Sequence, residues 1–239
     1  MKKVIIIGAS SGIGEALARE FSAHGFIVGM TARRIELLDK IKGELPNTSY
    51  TKQMDLLDPD GSIKGLNDLI GEMGNVDIIV INSGVGHINP DLVWGLEKAT
   101  IDVNVVGFTA MAVASTNYFM KKRQGHIVGI SSVAAVRPYR DAPAYGASKS
   151  YDSFYLGGLR HKFRKQHISI DVTSVMPGFV YTPLTSGNTK MYWASTPQKA
   201  AKQIYDAIIA KKEVVYITKR WRFVAWVMKW LPNFIYNRF

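Results

Sequence analysis

The opening of the chain narrows its fold more than any other stretch. Residues 3–8 form an apolar run rich in branched side chains, which ends abruptly in Gly8-Ala9-Ser10-Ser11-Gly12-Ile13-Gly14. A helical pattern follows through Leu17 and Phe21 to Gly25. The run predicts a buried first strand. It stops short of the ~7–15 apolar residues that a secretory signal needs. Strand, glycine turn and helix together let the backbone approach a ligand, while the helix N-terminus offers free N–H groups to a pyrophosphate. The spacing is G-x-x-x-G-x-G rather than G-x-G-x-x-G. Between a first strand and a first helix it points to a dinucleotide, and a merely tight turn is the plainer alternative. Gly8, Ser10, Ser11, Gly12, Ile13 and Gly14 are therefore the first candidate cofactor contacts.

The pattern then alternates. Strands are predicted at Phe26–Thr31, Ser49–Met54, Val76–Ile81, His126–Ile130, Ile168–Val175 and Val214–Ile217. Helices are predicted over 34–43, after Pro59, over 96–122, through Tyr145 to 166, and from Thr196-Pro197 to 211. This predicts an α/β fold, a Rossmann-type doubly wound parallel sheet of about seven strands with helices on both faces. A chain of 239 residues suits one such domain, assigned to 1–218. Residues 184–195 are irregular and carry Met191, Tyr192 and Trp193, which suits a mobile substrate lid. With no cysteine, disulfides, thiolate metal sites and a cysteine nucleophile are excluded, and a cytoplasmic location fits. The five histidines show no metal-ligand spacing, so no metal is expected.

Candidate site residues fall at strand ends. An acidic residue after the second strand would hold a ribose 2′-hydroxyl. Here Ala32-Arg33-Arg34 follows instead, and a guanidinium can grip a 2′-phosphate in a forked geometry. This favours NADP(H), with Arg33 as the nearer contact; the alternative is a solvated turn. Asp55, with Leu56, ends the third strand and either meets an adenine edge or caps the next helix. Asn82 and Gly84 lie in the loop after the fourth strand. Asn104 sits among apolar residues, so its amide must be bonded, either as structural glue or around a water near the site. Pro177, Gly178, Val180 and Thr182 follow the sixth strand, where open α/β sheets bind ligands. Ser132 ends the fifth strand. Tyr145 and Lys149 are four residues apart, which stacks them on one helix face. A tyrosine hydroxyl is ordinarily a poor acid or base, with a pKa of about 10. A fixed ammonium one turn away favours the phenolate, giving a candidate proton donor and acceptor.

Laid out in this order, the motifs resemble the short-chain dehydrogenase/reductase family, closely over 1–183 and loosely over 196–218. The family's T-G-x-x-x-G-I-G has Ile7 in place of the threonine, and its N-N-A-G appears as Ile81-Asn82-Ser83-Gly84. The lost asparagine puts a strand-to-strand bridge in doubt. The resemblance implies a four-residue active site of Asn104, Ser132, Tyr145 and Lys149. Ser132 would orient a carbonyl oxygen and Tyr145 would exchange the proton. Lys149 would act on the tyrosine and bind the nicotinamide ribose, and Asn104 would hold a water. Pro177 to Thr182 would contact the nicotinamide. It also implies a small carbonyl or alcohol substrate and assembly as a homodimer or homotetramer through the helices near 96–122 and 145–166.

The formal net charge is +11. Residues 211–239 hold seven cations (Lys211, Lys212, Lys219, Arg220, Arg222, Lys229, Arg238) against Glu213, a net of +6. The excess belongs to the tail, and no nucleic-acid partner is expected. In that tail Phe223, Trp226, Val227, Trp230 and Leu231 fall on one helical face. Two readings stay open: peripheral contact with a membrane surface, or packing over the substrate cleft or a subunit contact. Two functional classes also stay open. One is an NADP(H)-dependent oxidoreductase acting on an apolar or lipid-like ketone or alcohol. The other is a binding protein that senses NADPH and uses the tail as its contact surface.

Overall fold

The structure, a computed structural model, describes residues 1–186 and 191–236. Among these, strands β1 (Lys3–Ile7), β2 (Ile27–Ala32), β3 (Ser49–Gln53), β4 (Ile78–Ile81), β5 (Gln124–Ile130), β6 (Ser169–Pro177) and β7 (Val214–Ile217) form one sheet. Its order is β3-β2-β1-β4-β5-β6-β7, and every pairing is parallel. The helices are α1 (Gly12–Ala23), α2 (Ile35–Glu44), α3 (Pro59–Met73), α4 (Trp94–Ile101), α5 (Phe108–Lys122), α6 (Pro143–Lys165), α7 (Pro197–Ile209), α8 (Trp221–Trp230) and the single turn α9 (Asn233–Tyr236).

Side chains alternate across a strand, so β1 serves two cores at once. Val4 and Ile6 pack with Leu17 and Phe21 of α1, Leu38 of α2 and Ile204 of α7. Ile5 and Ile7 pack with Leu66 and Leu69 of α3, Met111 of α5 and Leu156 of α6. Each such burial contributes roughly 1.5–3 kcal/mol. The predicted doubly wound sheet with helices on both faces is therefore observed.

One element differs from expectation. Residues 96–122 are predicted as a single α-helix, but α4 and α5 are separated by a π-helical turn, Asp102–Gly107. The wider turn lets Asn104 reach out to Val85. It also brings Gly107 so close to the third-strand loop that a Cβ there would lie 2.7 Å from Leu56 Cβ. The run Trp94–Lys122 is long and apolar enough to cross a bilayer. Val103, Phe108, Met111, Ala112 and Phe119 are seated in the core, however, which marks the run as a core element.

His126 of β5 is 6% exposed. Thr173 Oγ1 donates to the Lys212 carbonyl, so His126 Nε2, 2.8 Å away, carries the hydrogen shared with that oxygen. Burial, opposed by Asp171 and reinforced by Lys211, lowers the imidazole to about 4 from 6.5. The unfolded chain therefore takes up this proton first as pH falls. The group costs nothing above its unfolded value of 6.5, and the loss of stability grows down to about 4. The loss approaches roughly 3 kcal/mol. Urea unfolding at pH 7 and pH 4.5 is expected to show a smaller pH-dependent loss for His126→Gln than for the wild type.

Candidate active site

The sheet's strand order reverses between β1 and β4, and a cleft opens there at the carboxyl ends of the strands, the place an open α/β sheet offers a ligand. The N–H groups of Gly8 and Ala9 donate to the Thr31 carbonyl at 2.8 and 3.0 Å, pulling the glycine turn over β2. On the other side, Asn82 and Ser83 N–H donate to the Ile7 carbonyl, and Asn82 Nδ2 donates to the Gly8 carbonyl at 2.7 Å. One asparagine thus holds the bridge between the two strand ends. Gly14 packs below the turn: a Cβ there would lie 2.1 Å from Gly8 O. Ser11, the N-cap of α1, makes no side-chain cap bond, so the first-turn N–H groups are left facing the turn.

The cleft has about 270 Å³ of open volume. Of the residues chosen from sequence, those in the glycine turn except Gly14 line it, together with Arg33, Asp55, Leu56, Asn82 and Gly84. Ser132, Tyr145, Lys149, Pro177, Gly178, Val180 and Thr182 complete the set. Gly14 and Asn104 do not line it. Asn104 sits one layer behind, fully buried. Its Oδ1 accepts from Val85 N–H, and its Nδ2 donates to the Val85 carbonyl and to Ser148 Oγ. Through these bonds the amide fixes the loop that covers Tyr145.

Tyr145 stands in the first turn of α6, which begins at Pro143. No side chain of the helix's own N-cap residue serves that end. Glu97 of α4 accepts from Ala144 N–H instead, at 3.1 Å. The Gly86 backbone covers the Tyr145 ring so closely that a Cβ there would lie 2.8 Å from Cδ2. Ser132 N-caps the short 3-10 turn Val133–Ala135 through Ala134 N–H at 3.1 Å, and its neighbour Ser131 donates to the Lys149 carbonyl at 2.7 Å.

Lys149 is almost wholly buried. Its ammonium donates to the Ile130 carbonyl at 3.0 Å and to Asp152 Oδ2 at 2.9 Å. Burial pulls the ammonium down, but Asp152, with Tyr145 adding to it, holds it above the usual lysine range. Burial also pushes the Asp152 carboxyl up, against the pull of Lys149. The contact at 2.9 Å is an ion pair. The sequence reading missed Asp152. Its signal was a carboxylate three residues after Lys149, on the same helix face.

At the outer end of the cleft both Arg33 and Arg34 line the wall. Arg34, ranked second from sequence, is the one tied to the glycine turn, donating to Ser10 Oγ at 3.3 Å. Asp55 does not cap α3: its Oδ1 accepts from Leu57 N–H, while Asp58 is the N-cap and accepts from Gly61 N–H. The reason is proximity, since Asp58 immediately precedes Pro59 at the helix start. The donor set fits an anionic dinucleotide along the cleft, with helix N–H groups in the middle and two guanidinium groups at one end.

The flap after β6 closes on itself. Tyr181 N–H donates to the Ser195 carbonyl and Ser195 N–H to the Phe179 carbonyl, each at 3.0 Å. Of the predicted lid 184–195, residues 187–190 lie outside the described residues, as does Arg238 of the tail. Leu231, placed on the helical face from sequence, follows the end of α8. Trp221, not assigned to that face, is the tail's buried aromatic, 5.8 Å from Phe179 and 6.0 Å from Trp193 between ring centroids.

A profile of the short chain dehydrogenase family matches residues 2–193. The chain belongs to the short-chain dehydrogenase family. An uncharacterized oxidoreductase of Myxococcus xanthus is 32% identical over 212 residues, covering 87% of this chain and 81% of that one. Dehydrogenase/reductase SDR family member 7B of Rattus norvegicus is 27% identical over 238 residues, covering 90% and 73%. Among solved structures, a 3-ketoacyl-(acyl-carrier-protein) reductase from Brucella melitensis in complex with NADH superposes with a TM-score of 0.82 at 21% identity, covering 91% and 97%. An alcohol dehydrogenase from Thermococcus sibiricus in complex with 5-hydroxy-NADP gives 0.80 at 22% identity, covering 91% and 96%. The protein is an oxidoreductase of this family and fold.

Removing one member of a buried ion pair strands the other. Asp152→Ala is expected to cost about 3–5 kcal/mol in denaturant unfolding at pH 7. The double variant Lys149→Met/Asp152→Leu is expected to lose less than the sum of its single variants, which a double-mutant cycle reads as coupling.

Proposed function

We propose that the protein interconverts a ketone or aldehyde and an alcohol with NADP(H), on a substrate that is apolar or lipid-like. The observation that carries this reading is that Ser132, Tyr145 and Lys149 open onto the same cleft as the glycine turn of α1. The nicotinamide, when bound, supplies or accepts the hydride. The first turn of α1 would take the pyrophosphate on its free N–H groups. Arg33 and Arg34 would share the 2′-phosphate, as charge-assisted bonds to a planar guanidinium suit it. Pro177, Gly178, Val180 and Thr182 would form the wall against the nicotinamide. Ser132 Oγ would hold the substrate oxygen, and Tyr145 would pass its hydroxyl proton to that oxygen on reduction or take it back on oxidation. Lys149, held charged by Asp152, keeps positive charge beside that exchange. Leu184, Tyr192 and Trp193, all exposed on the flap, suit an apolar substrate.

Self-association is part of the same proposal. Phe154 of α6 is 88% exposed. Tyr151, whose hydroxyl meets Thr109 Oγ1 at 2.8 Å, and Val113 of α5 are also exposed. These side chains give α5 and α6 an apolar outer face suited to a second copy.

Tyr145→Phe is expected to lower turnover ~10²–10⁴-fold in stopped-flow absorbance of the reduced nicotinamide, while fluorescence titration shows NADPH binding unchanged. Full turnover in that variant would refute the mechanism. Binding with no turnover in the wild type across a panel of apolar ketones would favour the sensor. Arg33→Ala/Arg34→Ala is expected to weaken NADPH binding by ~10–100-fold and leave NADH binding alone.

A further inference from the structure

Helix α8 is apolar on two opposite sides. Trp221 and Ala225 face inward and are buried, while Phe223, Trp226, Val227 and Trp230 are 38–73% exposed. At 100° per residue these four share one arc, and Trp221 and Ala225 lie across the helix from it. Phe234 of α9 is exposed as well. The helix is not a loose tail. Arg137 donates from Nε to the Met228 carbonyl and from Nη1 to Asn233 Oδ1, each at 2.7 Å, and also to the Leu231 carbonyl. Tyr236 OH donates to the Pro138 carbonyl at 2.7 Å, and the Arg137 guanidinium lies 5.1 Å over the Tyr236 ring. The aromatic face is therefore presented to solvent in a fixed orientation.

We infer that this face docks the protein on an anionic lipid bilayer, lying in the interface without crossing it. Tryptophan beside lysine and arginine is the side-chain chemistry of a membrane interface, where the ring sits at the headgroups and the cation meets lipid phosphate. Arg222 and Lys229 flank the face on the helix, Lys219 and Arg220 immediately precede it, and no acidic residue follows Glu213. That charge decides between occupants. A second copy in a two-fold contact would bring the same cationic rim against itself, whereas an anionic bilayer complements it. Ten residues are too few to span a bilayer.

Arg220, just before the helix, reaches from this side of the molecule to the flap after β6. Trp193 touches Trp221 and lies 5.8 Å under the Arg220 guanidinium, and it is exposed together with Tyr192 on the flap. A substrate dissolved in the bilayer would then have the flap, with its exposed Tyr192 and Trp193, near the docked face. That corollary rests on the function proposed above; the docking does not.

The test is sedimentation of the full chain with phosphatidylcholine vesicles, with and without phosphatidylglycerol. The wild type is expected to pellet with the anionic vesicles only, and salt should weaken the binding. Phe223→Ser/Trp226→Ser/Trp230→Ser changes exposed side chains only and should melt like the wild type, yet it should lose at least ~10-fold in vesicle affinity. Tyr145→Phe should pellet as the wild type does, so the docking is judged apart from the chemistry. Wild type that stays in the supernatant with anionic vesicles overturns the proposal, as does a triple variant that pellets equally. A triple variant that halves the mass in light scattering, where the wild type ignores vesicles, assigns the face to self-contact and overturns it too.

Discussion

A buried ammonium organises the carboxyl edge of this sheet. Removing an isolated charge from water costs several kcal/mol unless it is paired, and Lys149 is removed from water at the end of β5. Asp152 on the next turn of its own helix compensates it, and the Ile130 carbonyl takes a second of its hydrogens. Those contacts fix α6 against β5, reinforced by the chain of hydroxyls from Ser153 to Ser131 to the Lys149 carbonyl. With α6 fixed, Tyr145 is fixed, because it leaves the same helix face one turn earlier.

The opposite wall of the cleft is held by neutral bonds instead. Asn82 ties the glycine turn to β4, and Asn104 ties the Val85 backbone to α6 through Ser148. Both are neutral amides with protein partners, Asn104 buried and Asn82 half-buried at the cleft, and neither presents a charge to it. The two walls therefore differ in kind: one supplies position through hydrogen bonds, the other supplies charge. An anionic ligand proposed to lie between them would find helix N–H groups on the first wall and, behind the surface of the second, the Lys149 ammonium.

Much of this was legible from residue order. The unbroken apolar strands could only be central in a parallel sheet, and Tyr145 and Lys149 share a face at any helical geometry. The sheet order was not legible, because pairing is set by packing that no single strand encodes. Nor was the π-helical turn, since the bonds Asn104 makes from it go to Val85, a partner outside the helix. Arg33 and Arg34 are neighbours in a turn, and only the path of the backbone after β2 brings Arg34 toward Ser10. Asp152 looks like an ordinary surface carboxylate in the sequence and is compensating charge only because α6 buries that face. In the tail, a helical wheel groups the aromatics but cannot show which side the body of the protein covers; Trp221 is inside because the Phe179 turn receives it.

That last contact reaches back along the chain. The indole of Trp221 fills the space beside Gly178 so completely that a Cβ there would lie 2.0 Å from Nε1. Any side chain at Gly178 would have to displace the Trp221 indole, and any cut that removes the tail would uncover the back of a turn whose front lines the cleft. Sequence tolerance at residue 178 is thus governed by a segment made long after it, and a shortened chain would leave that turn without its packing partner.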